Sequence, residues 1–351
     1  MPVSLPTLVT FVPSWLKLMK DIKRWLPGAL ISIALIAAIL YFVDFQTTLN
    51  ALRNANYGLI AIAFSLSFVW LAVRAVVWRT LLRDKPSFKD VFFTEGEGYL
   101  LNNFLPFRLG EIGRAFLLSR KSGGLTFAEI IPTIVIERVV DLIISAVIFL
   151  AALPYVVNSE SSPALGYVIG GAMLFGLVLM YVLARNNQWA LDTFHKLSAR
   201  FPSLQKFGGS FLESFFQGLG VLTDGWRFLR FLFWMILNWA IALVAYYLMT
   251  LAFFPEAEWL WAVFGLGMAA FGGAVPSAPG AVGTFEGAVV FALTRFTADE
   301  STAFAAALTM RIYNYLNSGV IGTIGLLSEG QTLSGVYQQL MNFRNKEKNE
   351  E

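Results

Sequence analysis

Residues 91–114 read VFFTEGEGYLLNNFLPFRLGEIGR, an apolar approach that runs into Asn102-Asn103 and Pro106 and then the charged set Arg108, Glu111 and Arg114. A second stretch, residues 259–296, reads WLWAVFGLGMAAFGGAVPSAPGAVGTFEGAVVFALTRF. It has no charge from Trp259 to Phe285, yet Gly272-Gly273, Pro276, Pro279, Gly280 and Gly283 interrupt it. Proline removes a backbone donor and collides with the preceding turn, and glycine weakens a helix interior. Backbone freed in this way is tolerated at membrane depth only where protein or a wet cavity satisfies it. Both stretches therefore read as re-entrant helical hairpins. The alternative keeps each as a kinked spanning helix.

The rest of the chain supplies the membrane that this reading needs. Of 351 residues, 57% are hydrophobic and 14% charged, against about 25% charged in an ordinary soluble domain. Stretches 25–43, 57–78, 127–153, 165–184, 231–254 and 301–327 each approach or exceed the ~20 residues that span a hydrocarbon core as helix. Basic residues precede the first, as in a signal peptide, but it lacks a clear small-residue cleavage site and reads as a retained span. The expected fold is an all-α polytopic membrane protein with about six full spans plus two re-entrant hairpins.

Several chemistries are excluded by what is missing. The chain has no cysteine and one histidine, His195, so thiolate metal sites, Fe–S clusters, cysteine nucleophiles and multi-histidine metal sites are ruled out, and a serine–histidine triad is disfavoured. No GxxxxGK[ST] phosphate loop occurs. No metal, cofactor or catalytic constellation is expected. The 26 Lys and Arg nearly balance 23 Asp and Glu, which makes nucleic acid a poor partner; the basic residues report topology instead. With the N-terminus inside, 21 of the 26 fall in cytoplasmic segments, the exceptions being Arg53 and Arg295 outside and Arg74, Arg138 and Arg311 within spans. That places both termini in the cytoplasm, opens the first hairpin from the cytoplasm and opens the second from the opposite face.

The resulting organisation is a cytoplasmic segment 1–24, a single transmembrane domain 25–330 and a polar cytoplasmic tail 331–351. Within residues 188–222, Phe207, Phe211, Phe215 and Leu219 recur every fourth position, the pattern of a helix lying in the interface. A soluble helix packed on the loops fits it equally.

Sliding the sequence on itself by 173 positions aligns Pro106 with Pro279, Gly110 with Gly283 and Arg138 with Arg311, without a gap. The breakers of both hairpins and the buried arginine of both following helices coincide. Under the topology above the two units, about 90–153 and 259–327, are inserted in opposite senses, an inverted repeat of the kind found in many transporters.

Charged groups in a span cost about 2.5–3.5 kcal/mol each on insertion scales. Glu137, Arg138 and Asp141 must therefore be paired or wet, and their spacing lets them meet on one helix face. One reading is an internal ion-pair lock. The other is a polar cavity entered by a charged headgroup, for which Arg108, Arg114, Arg138 and Arg311 form the attractive set, since guanidinium offers a planar fork for phosphate oxygens. Arg108 and Arg114 also fit a role as interface anchors. Arg311 is the only charge inside its span and requires a partner from another helix or a ligand. Glu111 and Glu286 would neutralise these arginines between substrates or carry a coupling proton.

The stretches NNFLPFRLGEIGRAFLLSRKSG (102–123), IPTIVIERVVDLI (131–143) and VPSAPGAVGTFEGAV (275–289) resemble the paired signatures of the membrane region of the lysylphosphatidylglycerol synthase/flippase family. The resemblance covers most of the chain. It implies a multi-pass protein of the plasma (inner) membrane that moves a lipid between leaflets through a hydrophilic cavity. By motif it carries site roles onto Asn103, Pro106, Arg108, Gly110, Glu111, Arg114, Glu137, Arg138, Asp141, Pro279, Gly280, Gly283 and Glu286. The sequence departs from the family's synthases in having no aminoacyl-transfer region after its last span. Lysine transfer is thus not expected, and the substrate becomes another phospholipid or a polyprenyl-phosphate-linked lipid, with a separate lipid-modifying enzyme as possible partner. The competing readings are a membrane-embedded transferase acting on a lipid-linked substrate, disfavoured by short loops at 44–56, 154–164 and 255–258, and a secondary transporter of a small solute.

Overall fold

The structure is a computed structural model that describes residues 30–156, except 31, 38, 40, 106–107 and 122–123, and residues 224–339, except 276–277, with 182, 186, 189, 192–193 and 196 between them. The N-terminal segment 1–24, part of the expected first span, nearly all of the expected span 165–184, nearly all of the interfacial stretch 188–222, most of the tail 331–351, His195, Pro106 and Pro276 lie outside the described residues.

The described residues are helical, with no strand among them. We number the helices α1 Phe45–Asn54, α2 Tyr57–Leu81, α3 Phe88–Phe104, α4 Leu109–Lys121, α5 Phe127–Val156, α6 Gly225–Phe253, α7 Trp259–Ala274, α8 Thr284–Leu293 and α9 Glu300–Ser328. Three of them, α2, α5 and α6, are long and apolar enough to cross a membrane. α9 is 29 residues long but more polar, carrying Arg311, Asn314 and Asn317 along its length. Leucine, isoleucine and phenylalanine side chains such as Ile62 on α2, Leu142 on α5 and Phe233 on α6 point outward, the arrangement expected where the surroundings are lipid.

Helix starts follow local chemistry. Asp44, Asn56, Ser87, Asp224 and Asp299 each accept a backbone N–H of the first turn that follows, satisfying donors the helix itself leaves free. The Thr47 N–H holds the exposed Asp44 carboxyl below its ordinary range. Helix ends at the two breaks are set by proline. Leu105 precedes Pro106 and is extended at φ −100°, ψ 141°, and Val275 precedes Pro276 at φ −62°, ψ 129°; the proline ring disfavours the helical region for the residue before it.

The order helix, break, short helix, long helix occurs twice. In the first case α3, α4 and α5 have 17, 13 and 30 residues; in the second α7, α8 and α9 have 16, 10 and 29. In each, the helix before the break packs back on the short helix after it. Both breaks also contain a non-glycine residue in the left-handed region, Arg108 at φ 53° and Ala281 at φ 54°, 173 positions apart.

Small residues set how closely the helices approach. α3 crosses α9 at Gly96 and Gly322: a Cβ on Gly96 would stand 2.5 Å from Ile321 Cγ2, and one on Gly322 would stand 2.7 Å from the Gly96 carbonyl oxygen. α7 meets α5 at Gly267, where a Cβ would lie 2.8 Å from Phe149 Cβ. An apolar cluster joins Ala303, Ala306, Ala307 and Met310 of α9 to Met249 of α6, Trp261 of α7 and Val289 of α8, so one face of α9 packs into the bundle, where α2, α3, α6 and α8 all touch it, while Ile312, Leu316, Val320 and Ile324 line its exposed face.

Candidate functional site

Charges of the first unit gather in one cluster with Arg74 of α2. Arg74 of α2 places Nη2 2.5 Å from Glu137 Oε1 and Nη1 2.9 Å from Asp141 Oδ1, with a second contact to Asp141 Oδ2. Arg114 of α4 reaches Glu95 Oε1 of α3 at 2.6 Å, Glu111 Oε2 at 2.9 Å and Glu137 Oε1 at 2.9 Å. Arg138 of α5 reaches Glu111 Oε1 at 3.2 Å, Glu137 Oε1 at 3.1 Å and Asp141 Oδ2 at 3.2 Å. Trp239 of α6 donates its indole N–H to Asp141 at 3.2 Å, and the Arg114 guanidinium lies 4.6 Å from the centre of the Trp78 ring. Side chains from five helices, α2 to α6, thus meet around Glu137 and its neighbours.

Three arginines face four carboxylates here, and Arg108 at the break is close enough to Arg138 and Glu111 to feel their charge. With Arg108 the set is balanced. Its members differ in access. The side chains of Arg74, Arg114 and Glu137 are at most 2% exposed, whereas Arg138 is 26% exposed and Glu111 and Asp141 are each 15% exposed; Arg108 is exposed as well. The cluster therefore has a closed side that locks helices together and an open side, Arg108, Arg138, Glu111 and Asp141, that a polar ligand can reach.

The hairpin that carries Arg108 is closed by Asn102, whose Oδ1 accepts the Gly110 N–H at 2.8 Å. Gly110 cannot gain a side chain, since a Cβ there would collide with the Gly98 carbonyl oxygen and with Asn102.

The second unit repeats the pairing with different surroundings. Arg311 of α9 forms a fork with Glu286 of α8, Nε to Oε1 at 2.5 Å and Nη2 to Oε2 at 2.8 Å. The same guanidinium donates to the carbonyl oxygens of Gly280 and Ala281, the latter at 2.8 Å. Pro279, Gly280 and Ala281 form a 3-10 turn with Gly280 at φ 69°, followed by Gly283 at φ 86°, and Glu286 accepts the Gly283 N–H at 2.8 Å. In both units, then, the arginine of the long helix pairs with a first-turn glutamate of the short helix: Arg138 with Glu111, and Arg311 with Glu286. Arg311 finds the partner its isolation in the sequence demanded, on another helix.

The two breaks touch. Arg108 Nη2 donates to the Gly273 carbonyl oxygen at 2.6 Å, and Asn103 Nδ2 donates to Ser318 Oγ of α9 at 2.7 Å; separately, Ala278 N of the second break donates to Ser32 Oγ, near the N-terminus, at 3.1 Å. Of the residues singled out in the sequence, Arg108, Glu111, Arg114, Glu137, Arg138 and Asp141 come together in the first cluster. Glu286 and Arg311 form the second, Asn103 bridges to α9, and Gly110, Pro279, Gly280 and Gly283 shape the turns. Pro106 and Pro276 are outside the described residues. Among the described residues, no group of three or more histidine or acidic side chains is disposed to hold a metal ion.

Sequence reasoning missed Arg74, Glu95 and Trp239. Arg74 carried the same signal as Arg311, a lone charge within an apolar span. Glu95 sits in a phenylalanine- and glycine-rich approach, where two glutamates stand among otherwise uncharged residues from Val91 to Phe107.

Residues 26–322 match the family described as the lysylphosphatidylglycerol synthase TM region. Among curated proteins, the chain is 24% identical over 314 residues to a UPF0104 membrane protein of Methanothermobacter thermautotrophicus, a match covering 87% of this chain and 93% of that protein. It is 21% identical over 175 residues to a UPF0104 membrane protein of Pyrococcus horikoshii, covering 48% of this chain and 51% of that one.

Proposed function

The chain belongs to the family of the lysylphosphatidylglycerol synthase TM region, and from that membership and the geometry of its charged cluster we propose that it moves a lipid between the leaflets of a membrane. The observation that carries the proposal is the open side of the cluster. Arg108 and Arg138 offer guanidinium forks to a phosphate-bearing headgroup, while in the absence of substrate Glu111 and Asp141 occupy Arg138 and the Gly273 carbonyl oxygen occupies Arg108. A headgroup phosphate exchanges for these carboxylates, so Arg138 keeps an anionic partner throughout. The acyl or prenyl chains remain in the lipid, against the apolar outer faces of the helices.

The two breaks serve as gates in this proposal. α4 and α8, with 13 and 10 residues, are roughly 20 and 15 Å long, too short to cross a core of about 30 Å. This favours re-entrant hairpins over kinked spanning helices. With the basic loops and both termini in the cytoplasm, α5 runs outward and α9 inward, and the units around Arg138 and Arg311 become an inverted pair. The site is then in the plasma membrane, the substrate is a phospholipid or a polyprenyl-phosphate-linked lipid, and a separate lipid-modifying enzyme supplies it. The proposed movement involves no covalent step on this chain.

Leaflet exchange in sealed proteoliposomes tests the proposal. A panel of headgroup-labelled phospholipids and polyprenyl phosphates is reconstituted with the protein, and an impermeant quencher reports the accessible fraction. Quenching beyond the outer-leaflet half in protein-free vesicles, lost in a folded Arg108→Gln/Arg138→Gln variant, supports lipid movement. Exchange by that variant at the wild-type rate overturns it. Product formation from a lipid-linked donor, or gradient-driven solute uptake without lipid exchange, would favour a transferase or a solute transporter instead.

A further inference from the structure

A second charged cluster lies away from the headgroup cluster, where the first hairpin meets the end of α9. The Lys121 ammonium, at the last residue of α4, donates to Glu97 Oε2 of α3 at 2.8 Å, to Thr94 Oγ1 at 2.8 Å, and forms an ion pair with Glu329, the residue that ends α9. Its three donors are thereby used. Two carboxylates thus share one ammonium, which leaves a surplus negative charge at a place where Glu97 is 0% exposed and Lys121 9%.

Among the described residues, no cation other than Lys121 forms an ion pair with either carboxylate. The charged groups facing Glu97 from the elements packed on α3 are Lys121 and Glu329. Arg74 and Arg79 of α2 are held by Glu137 and Asp84, Arg114 of α4 by Glu95 and Arg311 of α9 by Glu286, while Arg120 donates to the neutral Gln339. The second carboxylate oxygen of Glu97, Oε1, is buried and accepts no hydrogen bond. It presses on Gly325 of α9, where a Cβ would collide with it. A side chain at position 325 has no room there, whereas a proton needs none. Glu97 and Glu329 stand near enough to hydrogen-bond each other once one of them is protonated.

We propose that Glu97 is a proton-binding site: the closed contact between the first hairpin and the end of α9 holds one proton on the Glu97–Glu329 pair, and opening that contact releases it. A protonated pair cancels the surplus charge and gives the bare oxygen a hydrogen to share. Opening exposes both carboxylates to water, where they ionise separately. Closure is accordingly favoured as pH falls and opposed as pH rises, by up to tenfold in the closed-to-open ratio per pH unit for one linked proton. The proton site stands on these contacts alone; its use as the gate for lipid passage rests on the proposed function.

The contact can be read without reference to lipid. Val336 is fully buried, packed with Leu100 and Leu101 of α3, Leu117 of α4 and Leu326 of α9, so it becomes reachable when the hairpin leaves α9. Because the chain has no cysteine, Val336→Cys supplies the sole thiol of the full-length protein in vesicles. Its labelling rate by a water-soluble maleimide is divided by that of the exposed Ser334→Cys, which removes the intrinsic pH dependence of the thiol. The ratio is expected to rise several-fold per unit as pH increases. It should become low and flat in Glu97→Gln, whose amide mimics the protonated acid, and its slope should be lost in Glu329→Gln, a second variant that removes the surplus charge from the more exposed end. A ratio that does not change with pH in the parent, or that keeps its slope in either variant, overturns the proposal. Lipid exchange measured in the same vesicles separates the two readings: an intact slope without exchange sinks the flippase reading alone, and exchange without a slope sinks the proton site alone.

Discussion

Glu137 Oε1 stands 2.5 Å from Arg74 Nη2, and the same oxygen also takes hydrogen bonds from Arg114 and Arg138. One carboxylate thereby ties α2, α4 and α5 together at the closed side of the cluster. Removing its charge leaves Arg74 and Arg114, both almost wholly buried, without the partner they share. Glu137→Gln is expected to destabilise the protein by about 3–5 kcal/mol, seen as a lower unfolding temperature in detergent. Arg138→Gln should cost less, because its side chain is 26% exposed and water replaces part of what is lost. Equal unfolding temperatures for Glu137→Gln and the parent would remove the cluster as a structural lock.

The fork between Arg311 and Glu286 is coupled to backbone, and this predicts a failed rescue. Arg311 holds the Gly280 and Ala281 carbonyl oxygens as well as the carboxylate. Arg311→Lys keeps the charge but lacks the planar fork that serves three acceptors together. We expect Arg311→Lys to fall well below the parent in lipid exchange, and the exchanged pair Arg311→Glu/Glu286→Arg to remain inactive, since a glutamate at 311 would face two carbonyl oxygens. Recovery of exchange in the swapped pair would mean that the ion pair alone matters and the turn does not.

The sequence made the breaks and the charged helix legible for a physical reason: proline, glycine and ionisable groups are costly in a span, so each must have a compensating structure. Asn102-Asn103 with Pro106, the Gly272–Gly283 stretch and the triplet Glu137, Arg138, Asp141 all announced themselves in this way. Partners on other helices did not. Nothing in periodicity says that Arg74 of α2 reaches Glu137 of α5, or that Lys121 spans from the hairpin to Glu329, because such contacts depend on helix order and rotation, which are set by packing. Gly96 and Gly322 were silent for the same reason, since a glycine within a span reads alike whether it faces lipid or another helix.

Those two glycines are separable from a third. Gly96→Ala places a Cβ 2.5 Å from Ile321, and Gly322→Ala places one 2.7 Å from the Gly96 carbonyl. Each is expected to push α3 from α9 and cost about 1–3 kcal/mol. Gly319→Ala, on the same helix with nothing within 4 Å of its Cβ, should be neutral or stabilising by about 0.5–1 kcal/mol through helix propensity. Unfolding temperatures of the three variants decide it, and a loss at Gly319 matching that at Gly322 would argue against close α3–α9 contact.

A polar contact links the first hairpin to the second unit, and this makes their separation testable. Asn103 Nδ2 lies 2.7 Å from Ser318 Oγ, joining the break of the first unit to the long helix of the second. If the two units rock against each other to admit a headgroup, this contact must open in each cycle. In a chain without native cysteine, Asn103→Cys/Ser318→Cys can be joined by a short, reducible bifunctional thiol reagent. Lipid exchange is expected to drop toward the protein-free level in proportion to the cross-linked fraction and to return on reduction, while each single variant treated alike keeps its rate. Loss in the single variants would point instead to the polar pair itself as part of the headgroup path. Undiminished exchange by a fully cross-linked protein would show that lipid passes with the tips held together, along the open face of Arg108 and Arg138 alone.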